Sequence, residues 1–239
     1  MSITLNGTTG VTTTGLTSNG IDDNATSTAI TIDALENVGI GTSSPAALLD
    51  LKHNSASTHL RLTENTSGNW SAFGVDTSDN LRMYVNNSER MRIDANGAVT
   101  MPHQPAFLAR PVSNQNNIAV GSHIDVVFGT EVFDQNSDFT SNTFTAPVAG
   151  RYQLNFSLRL QEMDSAASYI MCKIVTSNRD YESIFDPDFG QDAQYWNPSL
   201  GVLADMDAND TARVTFFQGV GAAQTDIHTQ SHFSGYLVA

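Results

Sequence analysis

The chain reads as all-β from end to end, in two parts of different texture, and three observations carry that reading. Apolar residues are 40% and charged residues 15%, both low. Thr, Ser, Asn and Gly fill the difference, which suits strands and turns over helices. Short runs with apolar residues at alternate positions recur along the chain and mark strands with one buried face. In the clearest run, Tyr152, Leu154, Phe156, Leu158 and Leu160 alternate with Arg151, Gln153, Asn155, Ser157 and Arg159. The 239 residues allow one large or two modest domains. Pro102, Pro105 and Pro111 punctuate the change of texture and place a boundary near His103. We expect a β-rich module over 30–102 and a β-sandwich head, long enough for a jelly roll, over 103–239.

Residues 1–29 are rich in Thr, Asn and Gly, with isolated apolar residues at Ile3, Leu5, Val11, Leu16 and Ile21. One chain cannot build a core from these. Two readings stay open: disorder, or an attachment segment that orders against neighbouring chains or a docking partner. Residues 30–41 then align without gaps on 91–102, with Ile32/Ile93, Asp33/Asp94, Ala34/Ala95 and Val38/Val99 coinciding. Both copies read strand, turn, strand, and Asn96-Gly97 is a strong hairpin signal. The spacing allows the copies to bracket one module or to open two. Between them, Leu48–Leu51, His59–Leu62, Ala72–Val75, Leu81–Val85 and Met91–Ile93 are short period-two strands. Ser43-Ser44-Pro45 offers one helical turn at most.

In the head, strands are expected at 106–112, 123–128, 142–147, 150–160, 167–176, 180–185, 197–205, 211–219 and 229–238. Pro147 and Gly150 supply the turn before the fourth.

Charge and cysteine content exclude several functions. The net charge is −14, with 10 acidic and 5 basic residues in 1–102 against 15 and 6 in 103–239. Neither part has a basic patch for nucleic acid or an anionic membrane. Cys172 stands alone, so no intrachain disulfide can form. No stretch has the length and apolarity to span a membrane as a helix. The N-terminus Met-Ser-Ile-Thr-Leu lacks the basic and apolar regions of a signal peptide, so secretion is not expected.

Two resemblances sharpen this picture. Asn37-Val38-Gly39-Ile40-Gly41-Thr42-Ser43-Ser44-Pro45, followed by Leu49-Asp50-Leu51, resembles a module of tailed-phage fibres. Gly20–Thr26 and Glu89–Asp94 are similar to its flanks, so the likeness covers roughly 19–102. It implies a trimeric shaft in which three chains intertwine to share a core. The second resemblance rests on the Phe128–Phe156 pattern, the stretch Leu203 to Phe217 and the closing Ser-His-Phe-Ser-Gly-Tyr-Leu-Val of 231–238. These are similar to the globular head of complement C1q and its tumour-necrosis-factor-like relatives. The likeness implies a homotrimer that binds and does not catalyse, with first and last strands close together. Two departures stand out: four residues separate Phe139 from Phe144 where the family usually has six, and Leu154 replaces a usual Phe.

Candidate chemistry is sparse. His228-x3-His232 has metal-like spacing only on a helix; on one strand the two would sit about 13 Å apart, too far to share an ion. Asp205-x-Asp207-x-Asn209-Asp210 copies the first ligand spacings of a calcium loop but lacks its Gly and its closing Glu, so a plain turn competes with a cation site. The C1q resemblance implies that such a Ca²⁺ or other cation would lie near the trimer axis. Asp186, Asp188 and Asp192 with Tyr195 and Trp196 form an acidic, aromatic loop suited to carbohydrate, with a solvated loop over packed rings as the plain alternative. Cys172 lies in a strand-like run with no His/Asp partners signalled, so a buried thiol is expected instead of a nucleophile. The long β-helix of phage depolymerases has no room in this chain. Together these imply a non-enzymatic virion fibre, made in the host cytoplasm. It would attach to other virion proteins through its N-terminus and bind a host-surface glycan or protein through its head. A capsid-decorating or tail-adaptor fibre and a bacterial surface adhesin are the alternatives.

Overall fold

The computed structural model describes residues 29–53, 59–64 and 66–239. The 1–28 segment, with its two readings, lies outside the described residues. The chain divides into two compact units between Thr100 and Met101. Every regular element among the described residues is a strand, and Ser43–Leu48 forms bends without a helical turn.

The first unit holds two sheets. Strands β1 (Ile30–Ile32), β2 (Val38–Ile40) and β3 (Leu49–Leu51) form one, with β2 and β3 parallel. Strands β4 (Leu60–Thr63), β5 (Trp70–Val75), β6 (Leu81–Val85), β7 (Ser88–Ile93) and β8 (Val99–Thr100) form an antiparallel meander. The two repeat copies bracket this unit and fold into the same hairpin. Ile32 pairs with Val38 in the first and Ile93 with Val99 in the second. In each turn the aspartate Oδ1 accepts two backbone N–H groups: Leu35 and Asn37 at Asp33, Asn96 and Ala98 at Asp94, all at 2.8 to 2.9 Å. The sequence comparison missed a third copy at Asp76, whose Oδ1 accepts Ser78 N–H and Asn80 N–H at 2.9 and 3.1 Å. The Gly39-Ile40-Gly41 motif also has a local cause. Gly41 has φ +75°, and a side chain there would strike the Lys52 carbonyl beside it.

The faces of the meander are unusual. Register puts Leu60, Phe73, Met83 and Met91 on one face, together with Val75, Leu81, Ile93 and Val99. The opposite face carries Trp70, Tyr84 and an ionic cluster in which Arg82 pairs with Asp76 and Glu89 pairs with Arg92 at 2.7 Å. Among the described residues of this unit, Ala72 and Pro45 are the only buried apolar side chains.

The second unit is a two-sheet sandwich with a small third sheet. Its strands are β9 (Ala106–Arg110), β10 (Ile124–Asp125), β11 (Thr130–Asp134), β12 (Phe139–Thr140), β13 (Thr143–Thr145), β14 (Gly150–Ser157), β15 (Leu160–Met163), β16 (Ile170–Thr176), β17 (Asp180–Phe185), β18 (Ala193–Trp196), β19 (Ser199–Met206), β20 (Thr211–Gln218), β21 (Asp226–Ile227) and β22 (His232–Leu237). One sheet runs β11-β9-β22-β14-β19. The facing sheet runs β12-β13-β20-β16-β17, with β10 also on β20. Between them lies one core of inward residues from alternate positions, including Phe107, Phe144, Tyr152, Leu154, Phe156, Cys172, Phe216 and Phe233. Phe107 stacks on Phe144 at 4.8 Å and meets Phe233 edge-on at 5.0 Å between ring centroids.

Several expectations need correction. The alternation from Tyr152 to Leu160 persists in burial, but the strand breaks at Leu158–Arg159 and changes sheet, β14 lying in the large sheet and β15 in the small one. The expected strand at 229–238 begins only at His232, because the Ser231 N–H turns back onto the His228 carbonyl at 2.9 Å. His228 and His232 therefore do not share a strand. The shortened Phe139–Phe144 spacing is a two-residue hairpin, with Ser141 and Asn142 at φ +50° and +67°. That is the left-handed pair such tight loops require.

Two predictions follow from these packings. Strand β22 is central, and a side chain at Gly235 would lie 2.7 Å from Leu154 and 2.8 Å from Phe107. Phe233→Ala should cost the head about 3–5 kcal/mol in chemical denaturation, and deleting 233–239 should leave no cooperative head transition. In the first unit, the Asn80 side-chain amide holds the Asp76 carboxyl below its ordinary 3.8, helped by Asn80 and Ser78 N–H groups and Arg82 against the effect of burial. A lowered folded value contributes stability that is present above the unfolded pKa and is lost as pH falls through the folded one. Thermal melts should therefore weaken on acidification below 3.8, and Asp76→Asn should shrink that acid-dependent loss.

Candidate functional site

The acidic, aromatic segment sits at one end of the sandwich. Strand β14 starts beside Ala239, whose carbonyl accepts the Arg151 N–H at 2.7 Å, and ends at Ser157 opposite His232. Seven residue steps at about 3.3 Å carry it roughly 23 Å. The small sheet β18-β15-β21 continues from that far end, so its residues lie remote from Pro105 and Leu237, where the head's outermost strand residues meet.

Part of the expected loop is strand β18, paired to β15 through Leu160↔Trp196, Gln161↔Tyr195 and Met163↔Ala193. That pairing separates the two aromatic residues, because neighbours on a strand project to opposite faces. Trp196 lies against Phe185 and Phe189 at 5.7 and 5.1 Å. Tyr195 lies on the other face, shared with Gln161 and Asp226, with the Arg159 guanidinium 4.8 Å over its ring. Both rings keep substantial exposure, 51% for Tyr195 and 42% for Trp196.

The three aspartates have separate jobs. Asp186 accepts the Asp188 N–H at 3.1 Å, and the Phe189 N–H bends back to the Pro187 carbonyl. This turn presents Asp188 and Phe189 to solvent beside Trp196. Asp192 instead ties three segments together. Its Oδ1 accepts the Ser165 N–H and hydroxyl at 3.0 and 2.9 Å, and its Oδ2 accepts the Gln224 amide at 2.8 Å. The Ser165 N–H first, then the Gln224 amide and the Ser165 hydroxyl, hold its carboxyl below the usual aspartate range. Asp192, Gln224, Glu162 and Gln194 line an open polar cleft of about 370 Å³. Sequence reasoning missed Arg159, Glu162, Phe189 and Gln224. Alternation did place Arg159 outward, but nothing in the chain signals that Gln224 returns to Asp192.

Beneath the cleft, the buried Asp164 carboxylate accepts Ala166 and Ala222 N–H groups, the second in a very short bond. Thr225 donates to the buried Gln218 at 2.6 Å, and the Gln218 amide donates to the Ala222 carbonyl at 2.9 Å. These bonds pin the 219–225 loop, and through Gln224 they position Asp192.

The carboxylates read as a cation site do not converge within one chain. Asp205 pairs with Arg179 at 2.9 Å. Asp210 accepts the Asp207 N–H at 2.8 Å inside the β19–β20 turn, with Asn209 at φ +74°. Among the described residues, no three His, Cys, Asp or Glu side chains are grouped to hold a metal ion. Cys172 is fully buried, and burial pushes its thiol up, away from the reactive thiolate.

A jelly-roll sandwich whose last strand lies between its first strand and β14 defines a class, and the sequence match agrees. Residues 106–238 match the C1q domain, and the chain belongs to the C1q domain family. Domains of this class commonly mediate binding and trimeric assembly and are generally non-enzymatic. Among solved structures, the globular domain of zebrafish complement 1qA protein is 19% identical, covering 57% of this chain and 98% of its own, with TM-score 0.45. Murine APRIL at pH 8.0 is 10% identical, covering 56% of this chain and 99% of its own, with TM-score 0.43. No curated protein matches the chain.

The opposite facing of the two rings gives a prediction. Trp196→Ala removes ring contacts to Phe185 and Phe189 and should lower head stability by about 1–2 kcal/mol. Tyr195→Ala, on the open face, should stay within about 0.5 kcal/mol by denaturant titration.

Proposed function

We propose that this protein is a non-enzymatic, homotrimeric virion fibre of a tailed phage. Its C1q-type head would bind a host-surface receptor, a glycan by the chemistry of the far end. The observation that carries the reading is the pairing of a C1q domain with a hairpin-built unit that has almost no core of its own. Such a unit suits a shaft, and such a head suits binding. Tyr195 and Trp196 offer exposed rings for sugar faces. Asp188, Asp192, Gln194 and Gln224 offer hydroxyl-directed hydrogen bonds. Three heads and many fibres per particle would raise weak single-site affinity by avidity. The N-terminal segment would dock to other virion proteins. A cation at the threefold axis would need Asp205, Asp207 or Asp210 from three chains.

Light scattering of the full chain should return three times its 25.7 kDa mass. Binding to whole host cells or an array of their surface glycans should weaken by about tenfold or more for Tyr195→Ala and Trp196→Ala. Unchanged binding would refute the assigned surface. Antibody labelling that places the protein on the capsid or on a bacterial envelope, and not at the tail tip, would replace host attachment with decoration or bacterial adhesion.

A further inference from the structure

The far end of the head is acidic, with one exception. In residues 158–169, 186–198 and 219–231, which build this end, Arg159 is the sole Lys or Arg. Leu158 and Leu160 are both fully buried, which drives Arg159 outward between them. Its backbone is tied on both sides: the N–H donates to Ser231 Oγ at 2.9 Å, and the carbonyl accepts the His228 N–H at 2.9 Å. Its guanidinium lies 4.8 Å from the centroid of the Tyr195 ring. Among the described residues, no carboxylate, carbonyl or hydroxyl accepts a hydrogen bond from that guanidinium. Asp226, the acidic residue nearest in register, stands opposite Gln161, and its Oδ1 accepts the Asn117 N–H at 2.7 Å. Asp192 is spent on Ser165 and Gln224. An arginine laid on a ring loses hydration on one side and keeps its edge N–H groups for a bidentate acceptor.

From this we infer that Arg159 sets the specificity of the head: it takes the carboxylate of an acidic sugar, held in place for it by Tyr195. This deepens the glycan reading above and rests on it. Two further observations shape the ligand. Gln161 is the next outward residue on β15 and stands opposite Tyr195, and its side-chain amide has no partner among the described residues. Two strand steps place it about 6.7 Å from Arg159, roughly the breadth of one substituted sugar ring, so it can read a hydroxyl while Arg159 holds the carboxylate. The charge of the surroundings then limits how many anions the ligand carries. Glu162, Asp186, Asp188, Asp192 and Asp226 all lie in the segments of this end. A polymer charged on every unit would meet these carboxylates, whereas a single acidic sugar among neutral ones meets Arg159 without opposing them.

Binding of the full chain to bacterial surface glycans printed in two forms, native and with their carboxyl groups reduced to alcohols, tests this. The chain should bind acidic glycans at least about tenfold more tightly than their reduced twins. Arg159→Gln should bring that ratio close to one. Arg159→Lys keeps the charge but not the fork, and should lower the ratio by about threefold or more. It also carries the test if Arg159→Gln fails to fold. Arg213→Gln, which removes the same charge from an exposed pair with Asp125, should leave the ratio unchanged. Equal binding to both printed forms would overturn this inference and leave glycan binding standing. So would a preference that both Arg159 variants retain, or binding lost on removal of phosphate and not on reduction of carboxyl groups. Binding to no glycan in either form would overturn both.

Discussion

Strand β22 hydrogen-bonds to β9 on one side and to β14 on the other, and the head cannot close without it. Phe233 stands at the meeting point, touching Phe107, Phe128 and Phe139, while Gly235 lets the backbone come within reach of Leu154 and Phe107. The partners of β22 lie 75 to 85 residues back on β14 and further still on β9, so the sandwich forms by long-range pairing and should fold slowly for its size. With the core closed, the edges are free to carry other work.

Exposed aromatic and acidic groups gather where β14 leaves the large sheet. The break at Leu158–Arg159 lets the period-two pattern continue while the chain changes partners, and this builds the small sheet without spoiling the core. Period two then decides the chemistry of the far end. Tyr195 and Trp196 are adjacent in sequence and opposed in space, so one ring gains an arginine and the other gains two phenylalanines. Asp192 gains its fixed charge from Ser165 and Gln224, groups that come from different loops.

How much of this could be read from residues alone divides along the same line. The period-two face of β14, the burial of Cys172 and the tight turn at Asn96-Gly97 were legible, because each depends on local spacing. The repeat at Asp33 and Asp94 was legible through identity. Its third copy at Asp76 was not, because the three residues between Asp76 and Asn80 differ from those between Asp33 and Asn37, although the Asp–Asn pair itself persists. The parallel pairing of β2 with β3 depends on tertiary register, which no local pattern encodes; the split of the aromatic pair was hidden because 193–196 reads as loop, and the start of β22 because the turn at 228–231 carries no Gly or Pro. Likewise, the apolar residues of the first unit were visible, but that register gathers them onto one face was not.

The thrice-used aspartate turn closes its own backbone groups with one carboxylate and borrows nothing from neighbouring strands. A hairpin so self-contained can be duplicated or lost as a cassette, and the ladder beside it simply lengthens or shortens by a rung. The length of the first unit thereby becomes adjustable in whole steps without altering the fold of the head.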